Sequence, residues 1–295
     1  MATCTSVGSS GPGCLTVVSQ TGSTSSLPRS NGSWSEEISL DLDMVSAICP
    51  YCHILLVEAS SATITDLGTA VNEAWRLGAV AISNSYGASE FSSETSYDQS
   101  YYSHPGVAIT ASAGDSGYGV EYPAASPGVV AVGGTSLKES GTTWSNTVWS
   151  GTGSGCSAYE SNPGWQPQVT GVCTSRTVGD VAAVADPNTG VAVYDSFHEP
   201  GWMVFGGTSV ASPIIASIFA LAGNTSFSLT SSGASMAAEA FYAKIGTTNE
   251  YPLIPVTSGS NGTCGGTYLC DASHSLSNGY NGPTGMGTPN GTNGF

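Results

Sequence analysis

A chain of 295 residues with 40% hydrophobic content can bury a full core, and it has no run suited to a bilayer; one globular domain of α/β size is expected, not disorder or a membrane protein. Only 9% of residues are charged, and 21 acidic against 5 basic residues give a net charge of −16, which excludes nucleic acid as a natural partner. A surface built on Ser, Thr, Asn and Gly has few ion pairs to lose when carboxylates protonate, which suits acidic surroundings.

Residues 1–35 are dominated by Ser, Gly and Thr and read as an irregular lead-in, with a short apolar stretch at Cys14-Leu-Thr-Val-Val18. Over 36–47 the spacing is helical, with Ile38, Leu42, Val45 and Ile48 on one side, and Pro50 stops the helix. Residues 53–58 form an apolar run of the kind found in central parallel strands. Residues 65–77 then read as a helix, 79–83 as a strand, 91–104 as mostly helical, and 107–112 and 129–132 as strands. The alternation predicts an α/β fold, a doubly wound, mostly parallel sheet with flanking helices, and a ligand site beyond the carboxyl ends of its strands. Ser83-Asn84-Ser85-Tyr86-Gly87 and Gly114-Asp115-Ser116-Gly117 both stand at such ends. From 224 onward the chain is loop-rich, and no repeat or linker divides it, so 1–295 is read as a single domain.

Eight cysteines fall into four close pairs, Cys4 with Cys14, Cys49 with Cys52, Cys156 with Cys173, and Cys264 with Cys270. Short local loops of this kind read as disulfides of a secreted protein, although spacing alone leaves the connectivity open. Cys49-Pro-Tyr-Cys52 also admits a redox or zinc reading, but no second Cys-x-x-Cys or paired His motif accompanies it. With no signal-like run, the chain reads as the mature or excised part of a secreted precursor.

The densest chemistry lies in Phe205-Gly-Gly-Thr-Ser-Val-Ala-Ser-Pro213, which runs into an apolar segment ending at Ala222. It puts Ser209 at the mouth of a buried helix, where free N–H groups and the dipole favour a nucleophilic hydroxyl, although an ordinary helix cap has the same look. A serine needs a base, and none of His53, His104, His198 and His274 stands in a Gly-rich turn that would present an imidazole. Carboxylates remain. Glu37 and Asp41 are four residues apart on one helical face, an arrangement that either shares a proton or is a solvated acidic face.

Taken together, Glu37-x-x-x-Asp41, Ala113-Gly-Asp115-Ser-Gly117 and Gly207-Thr-Ser209-Val-Ala-Ser-Pro213, in that order, resemble the sedolisin family of serine-carboxyl peptidases, relatives of subtilisin that work in acid. Tyr122-Pro-Ala-Ala-Ser-Pro127, Ala131-Val-Gly-Gly-Thr135 and Ala185-Asp-Pro187 agree with it. The resemblance implies that Ser209 attacks a peptide carbonyl, Glu37 is its base, Asp41 holds and tunes Glu37, and Asp115 is the oxyanion-hole residue, able to donate only while protonated. It also implies that Ser83, Asn84, Ser85, Tyr86 and Gly87 line the substrate cleft by backbone pairing. Polypeptide is the expected substrate and partner, the expected state is a monomer, and no cofactor is expected.

Two departures from the family pattern stand out. Its calcium site near the carboxyl end is degraded around Pro255, Val256, Gly279 and Asn281, since Pro offers no side-chain oxygen and Asn only a neutral one, so calcium binding is expected to be weak or absent. The prodomain and the first strand-helix unit are expected to be missing. A catalytically silent binding or surface protein is therefore the rival reading, while an all-β adhesin would leave the acidic pair and the Gly-Thr-Ser helix unexplained.

Overall fold

In the computed structural model, which describes residues 2–4, 13–169, 171–197, 201–224, 236–243 and 253–295, the apolar stretch at Cys14 is a strand. β1 (Ala2–Thr3) pairs in parallel with β2 (Cys14–Ser19), and β2 pairs in parallel with β3 (Ile54–Glu58), from Leu15 beside Ile54 to Ser19 beside Glu58. This corrects the irregular lead-in expected for 1–35 and shows that a strand precedes the acidic helix. A short run rich in β-branched residues becomes a strand once a partner edge is available, whatever its Ser- and Gly-rich surroundings favour.

Between β2 and β3 runs α1 (Gly32–Ile48), started by Asn31, whose side chain accepts from Ser33 N–H at 3.1 Å. The chain continues through α2 (Ile64–Arg76), β4 (Ala81–Asn84), β5 (Ala88–Ser89) and α3 (Thr95–Tyr97), which runs into a wide turn over Asp98–Tyr102. The mostly helical stretch expected over 91–104 is thus limited to 95–102, because its Ser, Thr, Asp and Tyr residues are weak helix formers and its aromatic rings pack individually. β6 (Ala108–Ser112), β7 (Glu121–Tyr122) and β8 (Val130–Ser140) follow, then β9 (Thr143–Val148), β10 (Gly155–Ser161), β11 (Ser175–Val178), β12 (Val181–Val184) and the hairpin of β13 (Val191–Asp195) and β14 (Gly201–Phe205). The central sheet has the order β12-β8-β6-β4, all parallel, with β9 antiparallel on β8.

The two faces of this sheet follow from the period of two along a strand. Ala108, Val130, Val132 and Val181 face one core with α4 (Thr208–Ala222) and α5 (Met236–Ala243), while Ile109, Ala111, Val129 and Ala131 face the other with Val71 and Ala74 of α2. α5 is helix within a tail expected to be loop-rich. At the edge of the sheet, residues 282–287 cover β12: Gly179 N–H donates to Gly282 O (3.0 Å), Met286 N–H to Asp180 O (2.9 Å) and Ala182 N–H to Gly287 O (2.9 Å). Below them Arg176 and Asp180, both fully buried, form a two-pronged ion pair, with Tyr242 OH donating to Asp180 at 2.7 Å. All four sequence pairs are disulfides: Cys4–Cys14, Cys49–Cys52, Cys156–Cys173 and Cys264–Cys270.

Candidate active site

Three elements deliver Glu37, Asp41, Asp115 and Ser209 to one place. α1 and α4 share a buried apolar cluster of Leu40, Met44 and Val210, with Val193 of β13. Hydrogen bonds from Tyr194 N–H to Asp43 (2.9 Å) and Ser35 Oγ to Asp195 (3.2 Å) tie the hairpin to α1. Glu37 and Asp41, one helical turn apart, flank that seam, and Ser209 in the first turn of α4 lies in hydrogen-bonding reach of Glu37.

Asp115 arrives from the end of β6. Its Oδ1 accepts from Thr208 N–H (2.7 Å) and from the Thr208 hydroxyl (2.8 Å), so Thr208 leaves Oδ2 unused. Gly207, just before α4, has φ +107°, and a Cβ there would stand 2.6 Å from Asp115 Oδ2, so only glycine lets this carboxyl close on the helix start. Thr208, which also accepts from Gly114 N–H at 3.1 Å, is a site residue that sequence reasoning passed over. Its position between the glycine pair and the serine was the available clue.

Desolvation lifts the Glu37 carboxyl to about 7, with the Ser209 hydroxyl pulling down and the Asp115 charge pushing up. Desolvation, followed by the charge of Glu37, holds Asp41 well above the usual carboxylate range, with the Ser85 hydroxyl opposing. Glu37 Oε1 is buried without an N–H or O–H donor. Two carboxyls so placed resist ionising together, which favours one shared proton on the pair.

The 83–87 strand is not arranged as a row of cleft-facing side chains. Ser83 Oγ lies 3.1 Å from Ser212 Oγ, Asn84 Nδ2 donates to Thr110 O (2.9 Å) and Tyr86 OH to Asn84 Oδ1 (2.9 Å); of the five, only Gly87 is exposed. Ser85 is buried, and its hydroxyl donates to Asp41 Oδ1 at 2.6 Å, with Ser209 O at 3.3 Å as a second acceptor. That carbonyl is free because Pro213, four residues on, has no N–H to give it. Glu121, unremarked in the sequence, also belongs here. A Cβ on Gly114 would meet its carboxyl at 2.7–2.9 Å, and desolvation, then the Asp115 charge, raise its pKa.

Histidine supplies no base among the described residues: His104 stacks on Trp75 (4.6 Å), His274 pairs with Asp271 (3.2 Å) and His53 is exposed beside Cys14 Sγ (3.5 Å), while His198 lies outside the described residues. The grouping of Cys4, Cys14 and His53 offers no thiolate to a metal, because both sulfurs are in the disulfide. At the expected calcium position the residues do not fit a cation. Fully buried Asn281 donates through Nδ2 to Val256 O (3.0 Å) and Ser275 Oγ (3.2 Å), and its Oδ1 accepts from Thr284 N–H (3.0 Å) and Oγ1 (2.8 Å), so an N–H occupies the carbonyl a cation would need. Pro255 supplies no side-chain donor, and Gly279 serves a turn through its N–H to Leu276 O (2.8 Å).

A profile of the subtilase family matches residues 30–232. Sedolisin from Pseudomonas sp. (strain 101) is 34% identical over 183 residues, 58% of this chain and 29% of that protein. Kumamolisin from Bacillus sp. (strain MN-32) is 33% identical over 219 residues, 62% of this chain and 38% of that protein. The chain thus spans well under half the length of these curated relatives. Among solved structures, Pseudomonas sedolisin, a serine-carboxyl proteinase complexed with two molecules of pseudo-iodotyrostatin, is similar with a TM-score of 0.75 at 27% identity, over 94% of this chain and 82% of that one. On the matched profile, the relatives and the shared fold, this chain belongs to the subtilase family, in its sedolisin branch.

Proposed function

We propose that this chain is a secreted, acid-acting serine-carboxyl endopeptidase that hydrolyses polypeptides. The observation that carries the reading is the Ser209 hydroxyl in hydrogen-bonding reach of the buried Glu37 carboxyl, with Asp41 one helical turn away. Ser209 Oγ attacks the peptide carbonyl carbon while its proton passes to Glu37, and Glu37 then returns that proton to the leaving amine. Asp41 keeps the shared proton and holds Glu37 in place. Asp115, protonated on the oxygen that Thr208 does not use, donates to the oxyanion; removing such a donor costs about 10²–10³ in kcat. Water repeats the sequence on the acyl-enzyme. As pH climbs the pair loses the shared proton that Asp41 keeps, and Asp115 can donate to the oxyanion only while protonated, so the rate falls.

The disulfides support a secreted setting. The Asn281 network supports a chain that takes no calcium, and nothing in the proposed chemistry needs a cofactor or a second copy of the chain. Hydrolysis of a quenched peptide library from pH 2 to 8 tests the reading, comparing the chain with Ser209→Ala and Glu37→Gln. Cleavage confined to acid and abolished by both substitutions is expected. Folded protein that cleaves nothing at any pH would leave a silent relative instead.

A further inference from the structure

Beyond β5 the chain carries Glu90, Glu94 and Asp98, and β10 brings Glu160 against them. Glu94 is fully buried and Glu160 is 4% exposed, and Oε1 of each has no N–H or O–H donor. What faces these carboxyls is another carboxyl: Glu90 is in hydrogen-bonding reach of Glu94, and Asp98 of Glu160. Two carboxyl oxygens can bond to each other only through a proton.

The remaining oxygens are anchored on several elements. Ser157 Oγ donates to Glu90 Oε1 and Ala158 N–H to its Oε2 (3.1 Å), Phe91 N–H donates to Glu94 Oε2 (2.7 Å), and Tyr122 OH donates to Asp98 Oδ1 (2.9 Å). An open groove of about 550 Å³, lined by Thr95, Asp98, Gln99, Ser103, Gly128 and Glu160, lies beside the Asp98–Glu160 pair. We propose that these two carboxyl pairs are a second proton-binding site, a clasp that fastens the 90–98 segment to β10 while each pair holds its proton and releases it when the protons leave.

The surroundings cannot replace a lost proton with opposite charge. Among the described residues, Tyr122 and Tyr102 face the cluster as neutral hydroxyls, and Arg176, the cation whose field reaches Asp98, already grips Asp180 with two bonds. Desolvation lifts Glu94 from an ordinary 4.5 to about 7; desolvation, then the charge of Asp98, lift Glu160 from 4.5 to about 9, and desolvation raises Asp98. A raised carboxyl binds its proton more tightly in the folded state. Its stabilisation is therefore complete below about 4.5 and is lost as pH climbs through about 7 and about 9. β5 pairs with β7 directly before Glu90, so release loosens the continuation of the 83–87 strand.

The clasp does not rest on the peptidase reading, and its test needs no turnover. Thermal unfolding of the Ser209→Ala protein from pH 4 to 8 is compared with the same protein carrying Glu160→Gln, and with Glu94→Gln and Glu160→Gln together. An amide donates its hydrogen bond without a proton to lose, so the fall in Tm toward pH 8 is expected to flatten by several degrees, more in the double variant. In the parent, a protonated-carboxyl infrared band should persist at pH 7 and shrink in the variants. Parallel Tm profiles, or an unchanged band, would overturn the clasp. Recovery of the parent at pH 8 on adding calcium would also overturn it, because the carboxyls would then be a cation site.

Discussion

Ser85 has one proton and two acceptors in reach, the carboxyl of Asp41 and the carbonyl of Ser209 that Pro213 leaves unused. It fixes where Asp41 points and ties that choice to the backbone of Ser209. Ser85→Ala removes a bond to a buried acid, worth about 10- to 100-fold in kcat, with KM little changed. Because the hydroxyl lowers the Asp41 pKa, its loss should also move the alkaline limb of the rate profile upward, and Ser85→Thr should restore both. A drop in Tm with no movement of that limb would leave Ser85 a purely structural residue. The grouping of Ser209, Glu37, Asp41 and Asp115 was legible because each sits at a distinctive spacing or glycine turn. Ser85 was legible only as part of a cleft strand, since which side of a strand meets α1 depends on packing that sequence does not display.

At the scale of elements, helices and strands with strong apolar periods were readable, and those made by partners were not. β2 owes its form to the edge of β3, and the 91–104 segment breaks up around Tyr102, Tyr122 and Phe91. The turn at Asn281 was half legible: the missing carboxylates were plain, but not that an amide had taken over the bonding. That substitution predicts that a chelator leaves Tm unchanged. Asn281→Asp sets a second acceptor against Val256 O and leaves it unpaired, a cost of about 1–3 kcal/mol at neutral pH that calcium or acid should relieve. A chelator-sensitive Tm in the unaltered chain would refute this account.

For the whole molecule, disulfides stand in for the ion pairs that so few basic residues cannot make. The longest disulfide loop, with a sequence separation of 17 from Cys156 to Cys173, leads from β10 toward β11 and is worth about 3 kcal/mol by loop entropy. Changing both cysteines to serine should lower Tm by several degrees, read by calorimetry at acid pH, and an unchanged Tm would show that the surrounding contacts alone hold this loop. The pairing pattern was visible in the spacing, as were the α/β class and mostly parallel sheet. The closing of the sheet edge was not, because residues 282–287 carry no strand signature. That edge sets an order of events during synthesis. The Arg176–Asp180 pair leaves the ribosome about a hundred residues before the segment that roofs it, so the nascent chain carries an unfinished sheet margin until residues 282–287 emerge, and a transcript cut short before them would yield a polypeptide prone to pairing with its neighbours.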